Sequence, residues 1–357
     1  MRRAALFFGL VACGADPSAP PQTPKKAEAV EAGADAGEDP AAPSAPSLSP
    51  ADAEKRIATV KATFEAQSAH DANRVAAFYA KDALVTTPGV PDWEGRDMIR
   101  DEEAKMFQDA PDAKFGLRRV LVRDDVAVVE WTSTGSASAS PKQRVPKRFG
   151  ANGVSIMHFA ADGLIKEEHD IVDGTTIDAQ VGTAKRKTRE TVMQPTGTPD
   201  VRVARGTPEE EKNLGAAEAL DKTFESRDAS AFAQALTDDV VWDDYTAVAP
   251  FRGRAEAVKM FQALTTAFPD MKTTCESWAV EDFVVQECVR SGTHDGILVL
   301  PTIKLPPTHA HFSIHFVDVL QMKHGAVAKL SHYADAEELT DELRTNAPTV
   351  KKKKKKE

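Results

Sequence analysis

Pro250 to Lys272, PFRGRAEAVKMFQALTTAFPDMK, decides how this chain is read, because most of it is written twice. Residues 92–114, DWEGRDMIRDEEAKMFQDAPDAK, carry the same Gly-Arg, the same Lys-Met-Phe-Gln and the same Pro-Asp-x-Lys. Gly95 lies as far from Pro111 as Gly253 does from Pro269, while the Lys-Met-Phe-Gln block slides between them. An internal repeat follows. In the second copy Val258, Phe261, Leu264 and Phe268 recur at helical spacing after the glycine, and Pro269 ends the run before a strand-like segment. The repeated unit therefore reads strand, Gly turn, amphipathic helix, Pro-Asp turn, strand.

A chain of 357 residues with a repeat this long divides into two domains of ordinary size plus tails. The net charge of -10 argues against a nucleic-acid partner, which needs clustered Lys and Arg. Arg2 and Arg3, the apolar run Ala4 to Ala12, and Cys13 form a signal segment too short to span a bilayer. Residues 14–50 are Ala, Pro, Ser and acids with almost no large apolar side chain, which predicts a disordered tether. The first domain is expected over residues 51–182, a linker over 183–206, the second domain over 207–345, and a Lys-rich disordered tail over 346–357.

Each half places helices before strands. Ile57, Val60 and Phe64 make one helical stripe and Ala216, Leu220 and Phe224 another; His70-Asp71-Ala72-Asn73 and Arg227-Asp228-Ala229-Ser230 then break them. Short second helices, the repeated helix and a run of long strands follow, an α+β pattern. At Leu10-Val11-Ala12-Cys13 the signal segment resembles the lipobox of bacterial lipoproteins. That likeness implies export, lipidation of Cys13 and anchoring to the cell envelope, with Gly14 and Ala15 resembling outer-membrane sorting.

Both halves resemble the nuclear transport factor 2-like superfamily, and the second resembles its SnoaL-like polyketide cyclase branch through PFRGRAEAV, AFPDMK, SGTHDG, FVDVLQMKHG and LSHYAD. The resemblance implies two tandem cone-shaped domains, each a curved antiparallel sheet with three N-terminal helices around a pocket. It implies a small apolar ligand, no cofactor, and pairing of the two cones or of whole chains as a further possibility. Cyclase, isomerase or dehydratase chemistry and a non-catalytic binding or assembly role both remain open, because the fold hosts each.

Four residues of the second half carry the catalytic candidates. Asp244 falls where the superfamily's ketosteroid isomerases hold their base, and it also reads as a turn Asp capping the loop toward Pro250. Alternation along His309 to Val319 puts Phe312, Ile314, Phe316 and Asp318 on one face, so Asp318 is expected to be a desolvated acid. His332 and Asp335 resemble the terminal pair of SnoaL-like cyclases, although Asp335 also reads as a helix cap. In the first half Thr87 replaces Asp244 and Ile156 replaces Asp318, while His169 and Asp173 remain, so chemistry is expected in the second half alone.

His309, His311 and His315 lack a companion acid or thiol at ligand spacing and read as a solvated face. A two-residue turn at Glu281-Asp282 would set Cys275 opposite Cys288, close enough for a disulfide, and Glu276 opposite Glu287.

Overall fold

The computed structural model describes residues 48–137, 145–300 and 303–348. The signal segment with Cys13, nearly all of the tether and the lysine run lie outside the described residues.

The first half comprises α1 (Pro50–Ser68), α2 (Ala72–Ala76), β1 (Tyr79–Thr86), β2 (Trp93–Glu94), α3 (Arg96–Asp109), β3 (Lys114–Arg123), β4 (Val126–Ala137), β5 (Lys147–Phe159), β6 (Ile165–Val172) and α4 (Gly174–Val181). After β7 (Asp200–Val203), the second half runs α5 (Pro208–Ser226), α6 (Ala229–Gln234), β8 (Leu236–Asp244), β9 (Phe251–Arg252), α7 (Arg254–Ala267), β10 (Lys272–Val280) and β11 (Phe283–Thr293). The small hairpin β12 (Leu298–Leu300) and β13 (Ile303–Leu305) follows, then β14 (His311–Lys323), β15 (Ala326–Ala334) and α8 (Ala336–Thr345).

Local chemistry sets these boundaries. Ser49 accepts the Asp52 amide at 3.1 Å to start α1, and Thr207 with Glu210 forms a reciprocal capping box at α5. The repeated Gly-Arg has one structural job in both copies. Gly95 and Gly253 take φ of 85° and 80° and donate their amides, each at 2.7 Å, to the Ala83 and Val240 carbonyls. The arginine that follows returns to the strand, Arg96 to the Tyr79 carbonyl and Arg254 to that of Leu236. The repeated Pro-Asp works at the helix's other end. Asp112 accepts the Ser136 amide at 2.7 Å and Asp270 that of Thr293 at 2.6 Å, fastening the strand beside the turn.

Two curved sheets result, with strand orders β2-β1-β6-β5-β4-β3-β7 and β10-β11-β14-β15-β8-β9. The fold is the expected tandem α+β arrangement, with three differences. β1 pairs parallel with β6 and β8 with β15, so each antiparallel meander is closed by a parallel contact. The helix α4 also follows the last long strand of the first half. The linker is not wholly irregular, because β7 joins the first sheet parallel to β3.

Each sheet wraps one apolar interior around its helices. The outer faces of the two sheets meet in a third cluster, where Val154, Ile156 and Ile171 face Val285, Val317 and Tyr333. Glu130, 2% exposed, sits within that contact. It accepts from Arg118 at 3.0 Å, from Arg119, and from the Tyr333 hydroxyl at 2.5 Å. Cys275 and Cys288 are cross-strand partners joined by a disulfide, with the two-residue turn at Glu281 and Asp282. The opposed Glu276 and Glu287 are relieved because Glu287 reaches His169 of the other sheet at 2.6 Å.

Candidate active site

The first cone encloses a small pocket. Phe64, Trp93, Phe115 and Trp131 form apolar walls, and Glu103, Glu168 and Asp170 bring three carboxyl groups into them. Strand alternation explains the placement. On β6, Glu168, Asp170 and Val172 point inward, whereas His169 and Ile171 point to the other sheet.

Glu168 and Asp170 belong to one hydrogen-bonded chain. The Tyr79 hydroxyl donates to Glu168, the Trp131 indole donates to the Ser155 hydroxyl at 2.9 Å, and that hydroxyl donates to Asp170. Burial, then the charge of Asp170, pushes the Glu168 carboxyl well above its ordinary range; burial also raises Asp170. Glu168 retains the proton and shares it with Asp170, as two close carboxyls in an apolar site cannot both ionise. Glu103, from α3, is pushed up to about 7 by burial, although Gln67 donates to its Oε1 at 2.9 Å. Its Oε2 is buried without a hydrogen-bond partner.

The second cone is built from the same positions with other side chains. Phe224, Phe232 and Phe261 pack there with ring centroids 4.3 to 5.4 Å apart. Asp244, His332, Asp318 and Gln286 are successive cross-strand partners across β8, β15, β14 and β11. Asp318 shares the inner face with Phe312 and Phe316 and takes the His332 ring nitrogen at 2.6 Å. Burial disfavours the imidazolium, but Asp318 and then Asp244 hold its pKa above the ordinary histidine value. Asp221 of α5 is raised to about 6 by burial and by the like charge of Asp318; it accepts from Gln286 at 2.5 Å. Arg290, also buried, lies 4.3 Å from the Phe316 ring centroid and offsets these acids.

The four catalytic candidates do not converge on one cavity. Asp244 lines an apolar pocket with Phe251, Met260, Leu298, Leu339 and Leu343, and its Oδ1 accepts the amide and hydroxyl of Thr246 in a turn. Asp318 is not part of that lining. Asp335 caps α8, accepting the Glu337 amide at 2.8 Å.

The expected equivalences in the first half need correcting. Asp173 and Asp335 are matching helix caps, so Asp170 rather than His169 stands where His332 does. Its neighbour Ser155, not Ile156, then occupies the place of Asp318. By the same superposition of elements Glu103 replaces Phe261, Glu168 replaces Leu330 and Tyr79 replaces Leu236. The first cone thus carries acids at three places where the second has Phe261, Leu330 and His332. Glu103, Glu168 and Asp170 escaped the sequence reading; the signal was Glu168-x-Asp170-x-Val172, which alternates onto a single strand face.

His309, His311 and His315 do not gather. His309 pairs with Asp295 at 2.8 Å and His315 with Glu338 at 3.1 Å.

The family model described as SnoaL-like domain matches residues 60–168 and again residues 217–330, together more than half of the chain. No curated protein matches it. Among solved structures, a protein of Jannaschia sp. CCS1 reported as a SnoaL-like polyketide cyclase is 18% identical, covers 40% of this chain and 97% of its own, and gives a TM-score of 0.36. An LEH-like epoxide hydrolase of M. tuberculosis is 16% identical over 39% of this chain and 94% of its own, with a TM-score of 0.32. IdmH of Streptomyces antibioticus, reported as a polyketide cyclase, is 20% identical over 36% and 98%, with a TM-score of 0.32.

Proposed function

The chain belongs to the SnoaL-like domain family through both of its halves, and from that premise we propose that its first cone binds a small, largely apolar molecule and moves protons on it. The observation that carries this reading is the chain Tyr79, Glu168, Asp170, Ser155, Trp131 inside an aromatic pocket. It holds one carboxylic acid beside one carboxylate, each oriented by a hydroxyl. Such a pair suits isomerase, cyclase or dehydratase chemistry. Asp170 takes a proton from the carbon beside a carbonyl, Glu168 gives its own to the carbonyl oxygen, and reverse transfers at a second carbon restore the pair.

The test is deuterium exchange. The purified chain is incubated in D₂O with a panel of cyclic and open-chain ketones, and label at the α-carbon is read by NMR. Enzyme-dependent exchange that falls by roughly 100-fold in Asp170→Asn supports the reading. Absence of exchange across the panel, or exchange that survives Asp170→Asn, overturns it.

Glu103 favours a second, non-catalytic reading. Its buried Oε2 has no partner, four aromatic rings line the same pocket, and the described lining includes no basic side chain. That combination fits a small organic cation. Saturable binding of an alkylammonium ion that Glu103→Gln abolishes, without any exchange activity, would select this reading.

For the segment outside the described residues we propose export and lipid anchoring at Cys13, supported by Arg2, Arg3, the apolar run and the position of that cysteine. Unchanged membrane partitioning of Cys13→Ser would refute it.

A further inference from the structure

We propose that the contact between the two sheets holds a divalent zinc-type ion, bound by His158 and His169 of the first domain and Glu287 of the second. The site lies on the opposite side of β6 from the acidic pocket and is independent of the chemistry proposed there. Three observations carry it.

First, a ligand atom from each of the three side chains lies within 4.8 Å of the other two. An ion at about 2 Å from each ligand requires them roughly 3.3 Å apart, a contraction that side-chain rotation supplies. Second, backbone register presents both imidazoles to the facing sheet. His158 pairs across the strands with Glu167 and His169 with Ile156, so the two rings are diagonal neighbours on the outer face, with centroids 5.8 Å apart. Third, hydrogen bonds already orient the His169 ring. Glu167 engages His169 Nε2 at 3.0 Å, while Nδ1 faces Glu287 at 2.6 Å. A carboxylate behind one ring nitrogen fixes the other toward a metal. Among the described residues neither nitrogen of His158 has a hydrogen-bond partner, and Trp278 packs edge-on against that ring at 6.3 Å.

Two imidazoles and one carboxylate match zinc and its first-row neighbours rather than calcium or magnesium. The side chains of His169 and Glu287 are 26% and 23% exposed, so an ion can enter from solvent. Because the ligands come from both domains, the ion would fasten one to the other. The strong His169 and Glu287 pair is the metal-free state of the same site.

The experiment uses the full chain freed of metal by chelation and dialysis. Isothermal titration with Zn²⁺ and visible absorption with Co²⁺ are expected to show one ion per chain, with a rise in melting temperature that EDTA reverses. His158→Ala is expected to weaken binding at least 100-fold, and Glu167→Gln by about 10-fold at unchanged stoichiometry. His309→Ala, at a histidine remote from the site, is expected to leave affinity unchanged. His158→Gln serves as the second variant should the alanine form fail to fold. Absence of saturable binding, or binding that neither His158 variant weakens, would overturn the proposal.

Discussion

At the scale of single residues, Glu103 shows what the first cone spends on its interior. A carboxyl 4% exposed, with one oxygen unpartnered, is a cost that a purely structural core avoids. Its folded pKa of about 7 lies above the ordinary value of 4.5, so the native state binds the proton more tightly than the unfolded chain. The penalty is absent below pH 4.5, grows as pH rises through the interval to 7, and is constant above it. Glu103→Gln removes it. We expect the variant to match the wild type at pH 4 and to exceed it by up to about 3 kcal/mol at pH 8, read from urea unfolding at both values. An equal difference at the two pH values would show that ionisation of Glu103 is not the cause.

At the scale of elements, the repeated helix was legible because its signature residues act locally. Gly95 and Gly253 combine φ near 80° with ψ near 150°, a region in which only glycine is at ease. A Cβ at either position meets a carbonyl oxygen no closer than 3.4 Å, so the strain of a substitution is torsional rather than a clash. Gly95→Ala and Gly253→Ala should each lose about 2 kcal/mol, measured by chemical denaturation, and additively since they lie in different domains. The strands were legible as elements but not in phase. Pairing His169 with His332 and Ile156 with Asp318 is a slip of one residue, and one residue on a strand exchanges the two faces. That slip hid Ser155 and Asp170. The true phase is set by the pairing of Ser155 with Asp170 and of Asp318 with His332, which no local pattern shows. β7 was missed for a similar reason: Asp-Val-Arg-Val is too short to stand out and becomes a strand only beside β3.

At the scale of the whole molecule, the two sheets are covered on both faces. An antiparallel sheet with one solvated face alternates apolar and polar residues, whereas Val126-Ala127-Val128-Val129 runs unbroken because Val126 and Val128 serve the domain contact and Ala127 and Val129 the cone. Glu130 continues that strand as the charged centre of the contact. Burial alone would raise its carboxyl, but Arg118 and Arg119 hold it below the ordinary range. A depressed folded value means that its contribution is fully present above pH 4.5 and is lost as pH falls through the folded value. Glu130→Gln keeps the shape yet leaves two guanidinium groups facing a neutral amide and each other. A buried charge that loses its partner is costly, so we expect a loss of about 3 kcal/mol at pH 7 in urea unfolding. Wild-type stability should decline toward the variant's as pH is lowered below 4.5, because protonation removes the same charge. A stability gap that persists unchanged at pH 3 would mean that the hydrogen bonds to Tyr333 and the arginines, not the ionised carboxyl, hold the two faces together.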